Sequence, residues 1–195
     1  MVAGCEDADV AQDRARAAIA ASPESKGEGG NSAFFRGQAA IVLSCLLHAA
    51  AISGSTMREV RDWANDFSND EPREILSNNL RALPGWAERL RRATTGEASQ
   101  TTASTSMTLA GALECLSNPE VLEMVCPPSD SGRYSHALDR ECFDIARFVR
   151  RNKDTLYLVT LGGEGVSTAP LVTAFVAAVV RLSLIHISEP TRPRL

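Results

Sequence analysis

The alternation of apolar and polar positions predicts helices along most of the chain. The longest apolar run covers residues 33–53, where Arg36, Ser44 and His48 form a narrow polar strip. A helix that is apolar nearly all round belongs at the centre of an all-helical unit. Ser32 is the expected N-cap of this helix, and Gly54 is expected to end it.

Amphipathic helices are predicted on both sides of this central helix. Before it, Asp7 or Asp9 should cap a helix over residues 10–21, with Asp13, Arg14 and Arg16 in solvent. After it, short helices are expected around residues 55–67, 70–83, 84–95, 107–116 and 119–125. The positions expected to face the core in this part are Met57, Val60, Trp63, Ala64, Phe67, Ile75, Leu76, Leu80, Leu83, Trp86, Leu90, Met107, Ala110 and Leu113.

The pattern changes near the end of the chain. Phe143–Arg151 predicts a short amphipathic helix, and Thr155–Leu161 is apolar on both faces, as in a central strand of an α/β sheet. The turn Gly162–Gly165 leads to a further helix, Pro170–Arg181. The predicted fold is therefore mainly α: an all-α helical insertion flanked by pieces of an α/β domain.

Composition narrows the class of protein. The chain has 195 residues, a formal net charge of −4, 44% apolar residues and 5% aromatic residues. These values fit a globular domain with an aliphatic core and exclude a strongly basic nucleic-acid binder as a description of the whole chain. The start of the chain predicts no secretory signal. Ala169–Ile187 has the length of a membrane span, but Pro170, Thr173 and Arg181 favour a buried helix, so no membrane segment is expected.

The five cysteines predict neither a disulfide framework nor a zinc site. Their number is odd, and Cys5, Cys45, Cys115, Cys126 and Cys142 form no CxxC pair. A reducing, cytoplasmic environment fits this pattern best. Cys45 and His48 share one helical face, so an enzyme that uses this pair stays open as an alternative to simple core packing.

Other candidate motifs fall short of a complete site. Gly162–Thr168 lies where a phosphate-binding loop would lie, but no GxxxxGK[ST] motif can be written there and Glu164 would repel phosphate. His136, with Asp130, Asp139 and Glu141 nearby, favours a polar loop over a metal site. No catalytic, nucleotide-binding or metal-binding residue is therefore predicted.

One cluster could contact a partner. Arg89, Arg91 and Arg92 lie on one predicted helix. Such a cluster can bind DNA or an acidic protein, and it can equally be a solvated helix face.

Three segments of the sequence carry a resemblance to a known protein family. GCEDADVAQDRARA, SAFFRGQAAIVLSCLLHAAAISGSTMREVRDWA and DTLYLVTLGGEG…APLVTAFVAAVVR occur in this order within residues 2–181. Together they resemble the type IV coupling proteins of the TraG/TraD-like kind, especially actinobacterial ones. That resemblance implies a membrane-anchored, homo-hexameric, RecA-like ATPase that moves DNA and attached relaxase into a conjugative secretion channel.

The resemblance also implies a division of the chain. Residues 33–125 would be the all-α domain inserted into the nucleotide-binding domain, and residues 1–32 and 126–181 would be partial RecA-like segments. ATP and Mg²⁺ would act in the parent protein, since both ATPase motifs are missing from this sequence. The helical unit would face the cytoplasm and meet incoming DNA or relaxase, with Arg89, Arg91 and Arg92 as candidate contacts.

The end of the chain carries a string of a different kind. The run LSLIHISEPTR, residues 182–192, resembles the translation of a transposase-type sequencing adapter. Residues 182–195 are therefore interpreted as a non-native tail, and the chain as an internal fragment. The alternative to the coupling-protein assignment is a stand-alone cytoplasmic helical protein that acts in interactions or as a DNA-binding accessory.

Overall fold

The computed structural model describes residues 1–22, 30–95, 99–126, 143–151, 154–159 and 166–188. Within these residues the protein is mainly α-helical, as predicted. The helices are α1 (Ala8–Ala20), α2 (Gly30–Ser53), α3 (Met57–Asn65), α4 (Glu71–Asn78), α5 (Trp86–Thr94), α6 (Ser99–Leu113), α7 (Pro119–Val125), α8 (Ile145–Arg151) and α9 (Ala169–Ser188), with a short 3₁₀ helix at Glu114–Ser117.

Helix α2 is the centre of the fold, as its apolar surface predicts. It packs against α1, α3, α4, α5 and α6, and every residue from 42 to 52 is buried. The helix begins at Gly30, so the prediction that Ser32 caps it is wrong: Ser32 lies inside the first turn. Its end is as expected, since Gly54 has a φ of 79° and the Asn79 side chain donates to the carbonyl of Ile52.

The same helix meets the length and composition criteria for a membrane span. Among the described residues, Ser32–Ser53 is long and apolar enough to cross a membrane, while Ala169–Leu184 is shorter. In this fold 61% of an 18-residue apolar window within this segment is buried, which is the pattern of a core helix. The absence of a membrane segment stays a prediction.

Helix α1 packs against both α2 and α9. Asp7 is its N-cap and accepts hydrogen bonds from the amides of Asp9 and Val10. Arg14 was expected in solvent, but its guanidinium donates to the carbonyls of Met1 and Ala3 and holds the first turn of the chain in place. The buried face of α1 consists of Ala11, Ala15, Ala18 and Ile19.

Three expected core positions lie on the surface. Leu80 is fully exposed because α4 ends at Asn78 and the chain turns before this residue reaches the core, and Leu83 is exposed in the same turn. Met107 is exposed because α6 already begins in the Ser/Thr-rich run and turns Thr105, Leu109 and Ala112 inward instead. The main side chains of the α3 and α5 stripes are placed as predicted, with Met57, Val60, Trp63, Trp86 and Leu90 buried.

The strand predicted at Thr155–Leu161 is wrong in its described part. Residues 154–159 form neither a helix nor a strand, and Tyr157 and Val159 are exposed. A strand needs a neighbouring strand for its backbone hydrogen bonds, and no described segment of this chain supplies one. Leu161, the turn Gly162–Gly165 and the His136 loop lie outside the described residues.

The proposed domain limits at residues 33, 125 and 181 stay predictions. The buried core runs from α1 through α2 to α9, where Leu171 and Ala174 belong to it. Arg181 on α9 forms an ion pair with Asp13 on α1. Helix α9 then continues without a break into the suspected tail, as far as Ser188.

Candidate anion-binding site

An open groove of about 420 Å³ lies between α1, α2 and α5. The lining residues on each long helix are three or four positions apart, so they share one face of that helix. On α1 this face covers the last two turns, and on α2 it consists of positions 36, 37, 40, 41 and 44. Three arginines from three different helices line it: Arg16, Arg36 and Arg89. We call this feature the arginine groove.

The described lining of the arginine groove combines three arginines with aliphatic side chains. Its described lining includes no Asp or Glu, and Ile19, Ala20, Ala40 and Ile41 form the apolar part. Gln12 and Ser44 are the uncharged polar side chains in the lining. This combination suits an anion that carries an apolar body better than a fully hydrated ion.

Contacts with neighbouring side chains orient the guanidinium groups of Arg89 and Arg16. The guanidinium carbon of Arg89 lies 5.7 Å from the centroid of the Trp86 ring, a cation–π contact that holds the side chain toward α2. Arg16 donates to the side-chain oxygen of Gln12 at 3.2 Å, and its other nitrogen lies 3.8 Å from Asp13. The guanidinium groups of Arg89 and Arg16 are therefore partly held in position without a ligand.

Arg91 and Arg92 do not line the arginine groove. Both pair with Glu88 on their own helix: Arg91 makes two hydrogen bonds to this carboxylate, at 2.7 and 2.8 Å, and Arg92 makes one at 2.7 Å. These hydrogen bonds hold the pKa of Glu88 down at about 2. The structure thus separates Arg89 from the two arginines with which the sequence grouped it.

Sequence reasoning missed Arg16 and Arg36 as partners of Arg89. The available signal was Arg36, a charged residue inside an otherwise apolar helix. The spacing of Glu88 to Arg91 and Arg92, i to i+3 and i+4, also signalled the ion pairs that occupy the other two arginines.

Cys45 and His48 do not form a catalytic pair. His48 is fully buried; its Nδ1 lies 2.8 Å from the carbonyl oxygen of Cys5, and its Nε2 accepts from the amide of Leu83 at 3.4 Å. The ring also stacks edge-on against Trp86, with centroids 5.0 Å apart. Both ring nitrogens are therefore engaged with backbone groups, and the ring ties the chain start and the α4–α5 turn to α2.

The thiol of Cys45 is buried and largely unreactive. Burial raises its pKa to about 12, against the smaller opposing effects of the Arg89 charge and a hydrogen bond with Ser44. Its sulfur lies 3.9 Å from the carbonyl oxygen of Trp86. A thiol with this pKa is protonated at neutral pH and is a poor nucleophile.

Among the described residues, no group of three or more His, Cys, Asp and Glu side chains is placed to hold a metal ion. Comparison with protein-family models, with curated proteins and with solved structures gave no match for this chain.

Proposed function

We propose that this chain is the helical substrate-recognition unit of a TraG/TraD-like coupling protein, the kind of ATPase that delivers DNA and attached relaxase to a conjugative channel. The order of the three resembling strings within residues 2–181 supports the family assignment. The mainly helical fold built around α2 supports the assignment of residues 33–125 to an all-α recognition domain.

The arginine groove is the observation that best supports a binding role. Arg16, Arg36 and Arg89 come from three helices and converge on one concave surface. A guanidinium group binds an anion through charge-assisted hydrogen bonds, so a surface of this kind can hold an anionic group. In this proposal the groove and the neighbouring Arg91 and Arg92 face the incoming substrate on the cytoplasmic side.

In this proposal the chain itself recognises the substrate, and the nucleotide-binding domain of the parent protein hydrolyses ATP. ATP and Mg²⁺ would bind in the nucleotide-binding domain of a membrane-anchored homo-hexamer. The groove would position DNA or relaxase before translocation.

The genomic DNA around the reading frame tests the family assignment. We expect in-frame sequence encoding a GxxxxGK[ST] loop before Met1, and an apolar strand ending in Asp-Glu after residue 181. An in-frame stop codon with a ribosome-binding site just before Met1 would contradict the proposal and favour a stand-alone interaction protein.

Binding measurements on the full chain test the recognition role. Reversing charge at Arg89, Arg91 and Arg92 to Glu should weaken binding of labelled single-stranded DNA or of the relaxase encoded beside the gene. The matched control reverses three exposed arginines elsewhere on the chain, Arg81, Arg150 and Arg151. Equal binding by the triple variant and the control across a salt titration would refute this role for the cluster.

A further inference from the structure

We infer that this chain binds a second copy of itself head to tail, through an acidic patch on α7 of one copy and a basic patch on α8 and α9 of the next. Both patches combine exposed charges of one sign with exposed apolar side chains. The acidic patch consists of Glu120, Glu123 and Met124, and the basic patch consists of Phe143, Arg147, Arg151, Val176 and Val180. The inference concerns the chain itself and does not depend on the proposed family assignment.

The acidic patch lies on one face of α7. Glu120, Glu123 and Met124 are three or four positions apart on this helix, so their side chains are neighbours. All three are exposed, and the side chain of Met124 is 72% exposed. Leu122 is buried and holds α7 on the core. Within the described part of the chain, neither carboxylate forms an ion pair.

The charges of the basic patch lie on one face of α8. Arg147 and Arg151 are one helical turn apart, and both are exposed. Neither of them forms an ion pair with another described residue. Arg150 is also exposed, but its Nε donates to the carbonyl of Ala146 in the same helix. Asp144 is the acid closest in sequence, and its carboxylate accepts from the amide of Arg147 at 2.9 Å at the start of α8.

Apolar side chains adjoin these arginines. The ring centroid of Phe143 lies 5.5 Å from those of Phe148 on α8 and Phe175 on α9, so Phe143 occupies the seam between the two helices. Its side chain is nevertheless 49% exposed. Val176 and Val180 are one turn apart on α9 and are also exposed. The basic patch therefore offers both charge and apolar surface to a partner.

The two patches complement each other in charge, spacing and apolar character. Each places two like charges about one helical turn apart, so two helices lying side by side can form two ion pairs. Met124 beside the acids and Phe143 beside the arginines are suited to a sulfur–aromatic contact. This internal match favours a second copy over an unrelated acidic partner.

The contact requires two copies because the patches do not meet within one. Helix α7 packs against α3 and the 3₁₀ helix, whereas α8 packs against α9. Each copy carries one patch of each sign, so the contact is heterologous and leaves a free patch on both outer copies. A third copy can therefore join the first two.

Sedimentation of the full chain over a range of concentrations tests the inference. Two exposed ion pairs and a small apolar contact should give weak, transient association, with a dissociation constant on the order of 100 µM. The weight-average mass should rise above that of the monomer between about 10 and about 500 µM at low salt. Raising the ionic strength to about 0.5 M should weaken the association severalfold.

A charge swap locates the contact. Arg147→Glu with Arg151→Glu makes both patches acidic, and Glu120→Lys with Glu123→Lys makes both patches basic. Each double variant alone should associate at least about tenfold more weakly than the native chain. An equimolar mixture of the two should associate again, because every patch in the mixture then has a complementary partner. This recovery also shows that both variants are folded, which circular dichroism checks independently.

The matched control is Arg58→Glu with Arg81→Glu, which reverses two exposed arginines outside both patches. It changes the net charge by the same amount as the first double variant. It should leave the dissociation constant within about twofold of the native value. A similar loss in the control and in the first double variant would mean that general charge repulsion, not the basic patch, sets the association.

Other results would also overturn the inference. A native chain that stays monomeric over the whole concentration range has no such contact. A dimer that takes up no third copy and survives both charge reversals would be formed by a different, symmetric surface. Loss of association in both variants without recovery in their mixture would mean that the two patches do not bind each other. The family assignment is unaffected by any of these outcomes, since the flanking DNA tests it separately.

Discussion

Cys45 and His48 lie one helical turn apart on α2, yet each contacts a different part of the backbone. His48 bridges the Cys5 carbonyl and the Leu83 amide, and Cys45 lies near the Trp86 carbonyl. At the scale of single residues, burial and backbone partners decide their roles, and these roles are structural.

The reactivity of the thiols tests this assignment. With a pKa of about 12, Cys45 is thiolate in only about one molecule in ten thousand at pH 8. We expect iodoacetamide to modify the half-buried Cys126 well before Cys45 in the native chain, and both at similar rates in urea, as read by peptide mass mapping. Rapid modification of Cys45 in the native state would contradict a purely structural role.

Glu88 controls how available Arg91 and Arg92 are. Its pKa is depressed to about 2, so the ion pairs are fully formed above the ordinary carboxyl pKa and are lost only as the pH falls through about 2. At neutral pH Glu88→Gln should release both arginines and strengthen binding of labelled oligothymidine by about two- to fivefold at low salt. The control is Glu74→Gln, an exposed acid on α4. Equal effects of the two variants would mean that Arg91 and Arg92 do not contact anions.

At the scale of elements, capping fixes where α3 begins. The amide and hydroxyl of Thr56 donate to the Glu59 carboxylate at 2.7 and 2.6 Å, and the Thr56 hydroxyl accepts from the amide of Arg58. This capping box satisfies amides that the first helical turn leaves without partners. It also orients the α3 face that carries Met57 and Trp63 into the core.

Thr56→Ala should lower the free energy of unfolding by about 1 kcal/mol. Burial pushes the pKa of Glu59 up, but the Thr56 hydrogen bonds outweigh burial and lower it. A lowered pKa stabilises the fold above the unfolded-state pKa, and that stabilisation is lost as the pH falls through the folded-state value. Urea unfolding at pH 7 and at pH 3.5 should therefore show a smaller acid loss in Thr56→Ala than in the parent chain. Thr108→Ala, whose hydroxyl only donates to a carbonyl in its own helix, is the control and should keep the full acid loss.

At the scale of the whole molecule, the core joins α1 and α9 to the central helices. Ala11, Ala15 and Ile19 share one core with Leu43 and Leu171. The predicted autonomous unit, residues 33–125, would therefore be missing part of this core when it is cut out of the chain. It would lose the buried face of α1 and the Cys5 carbonyl that pairs with His48.

A comparison of truncated chains measures this contribution. We expect residues 33–125 to be helical by circular dichroism but less stable than residues 1–126 by at least about 2 kcal/mol in urea unfolding. The reason is the lost alanine face and an unsatisfied buried imidazole. Equal urea midpoints for the two chains would show that α1 adds nothing to the unit, and a disordered spectrum of residues 33–125 would refute its autonomy.

Removing the suspected non-native tail, residues 182–195, should leave the stability of the fold almost unchanged. Ending the chain after Arg181 keeps the ion pair to Asp13 and removes Leu184, which is 60% exposed. We expect the free energy of unfolding to change by less than about 0.5 kcal/mol. Ending the chain after Val159 instead removes all of α9 and should cost clearly more, since Leu171 and Ala174 are buried. A large loss from the shorter truncation would mean that residues 182–195 are a genuine element of the fold.

The sequence by itself determined the features that depend on local spacing. The central position of α2 and the glycine stop at Gly54 follow from residues within one or two helical turns. For α1 the sequence left Asp7 and Asp9 as candidate caps, and the structure uses Asp7. The inward positions of α3 and α5 were predictable for the same reason. The pairing of Glu88 with Arg91 and Arg92 was equally readable from local spacing.

Only the tertiary structure decided which distant residues meet. Arg16, Arg36 and Arg89 converge because of the way α1, α2 and α5 pack, and sequence periodicity does not specify packing geometry between helices. The same holds for the His48 contacts with Cys5 and Leu83, and for the exposure of Leu80 after α4 ends early. The segment 154–159 forms no strand for a related reason: a strand is stabilised by a partner strand, and its own apolar pattern cannot provide one.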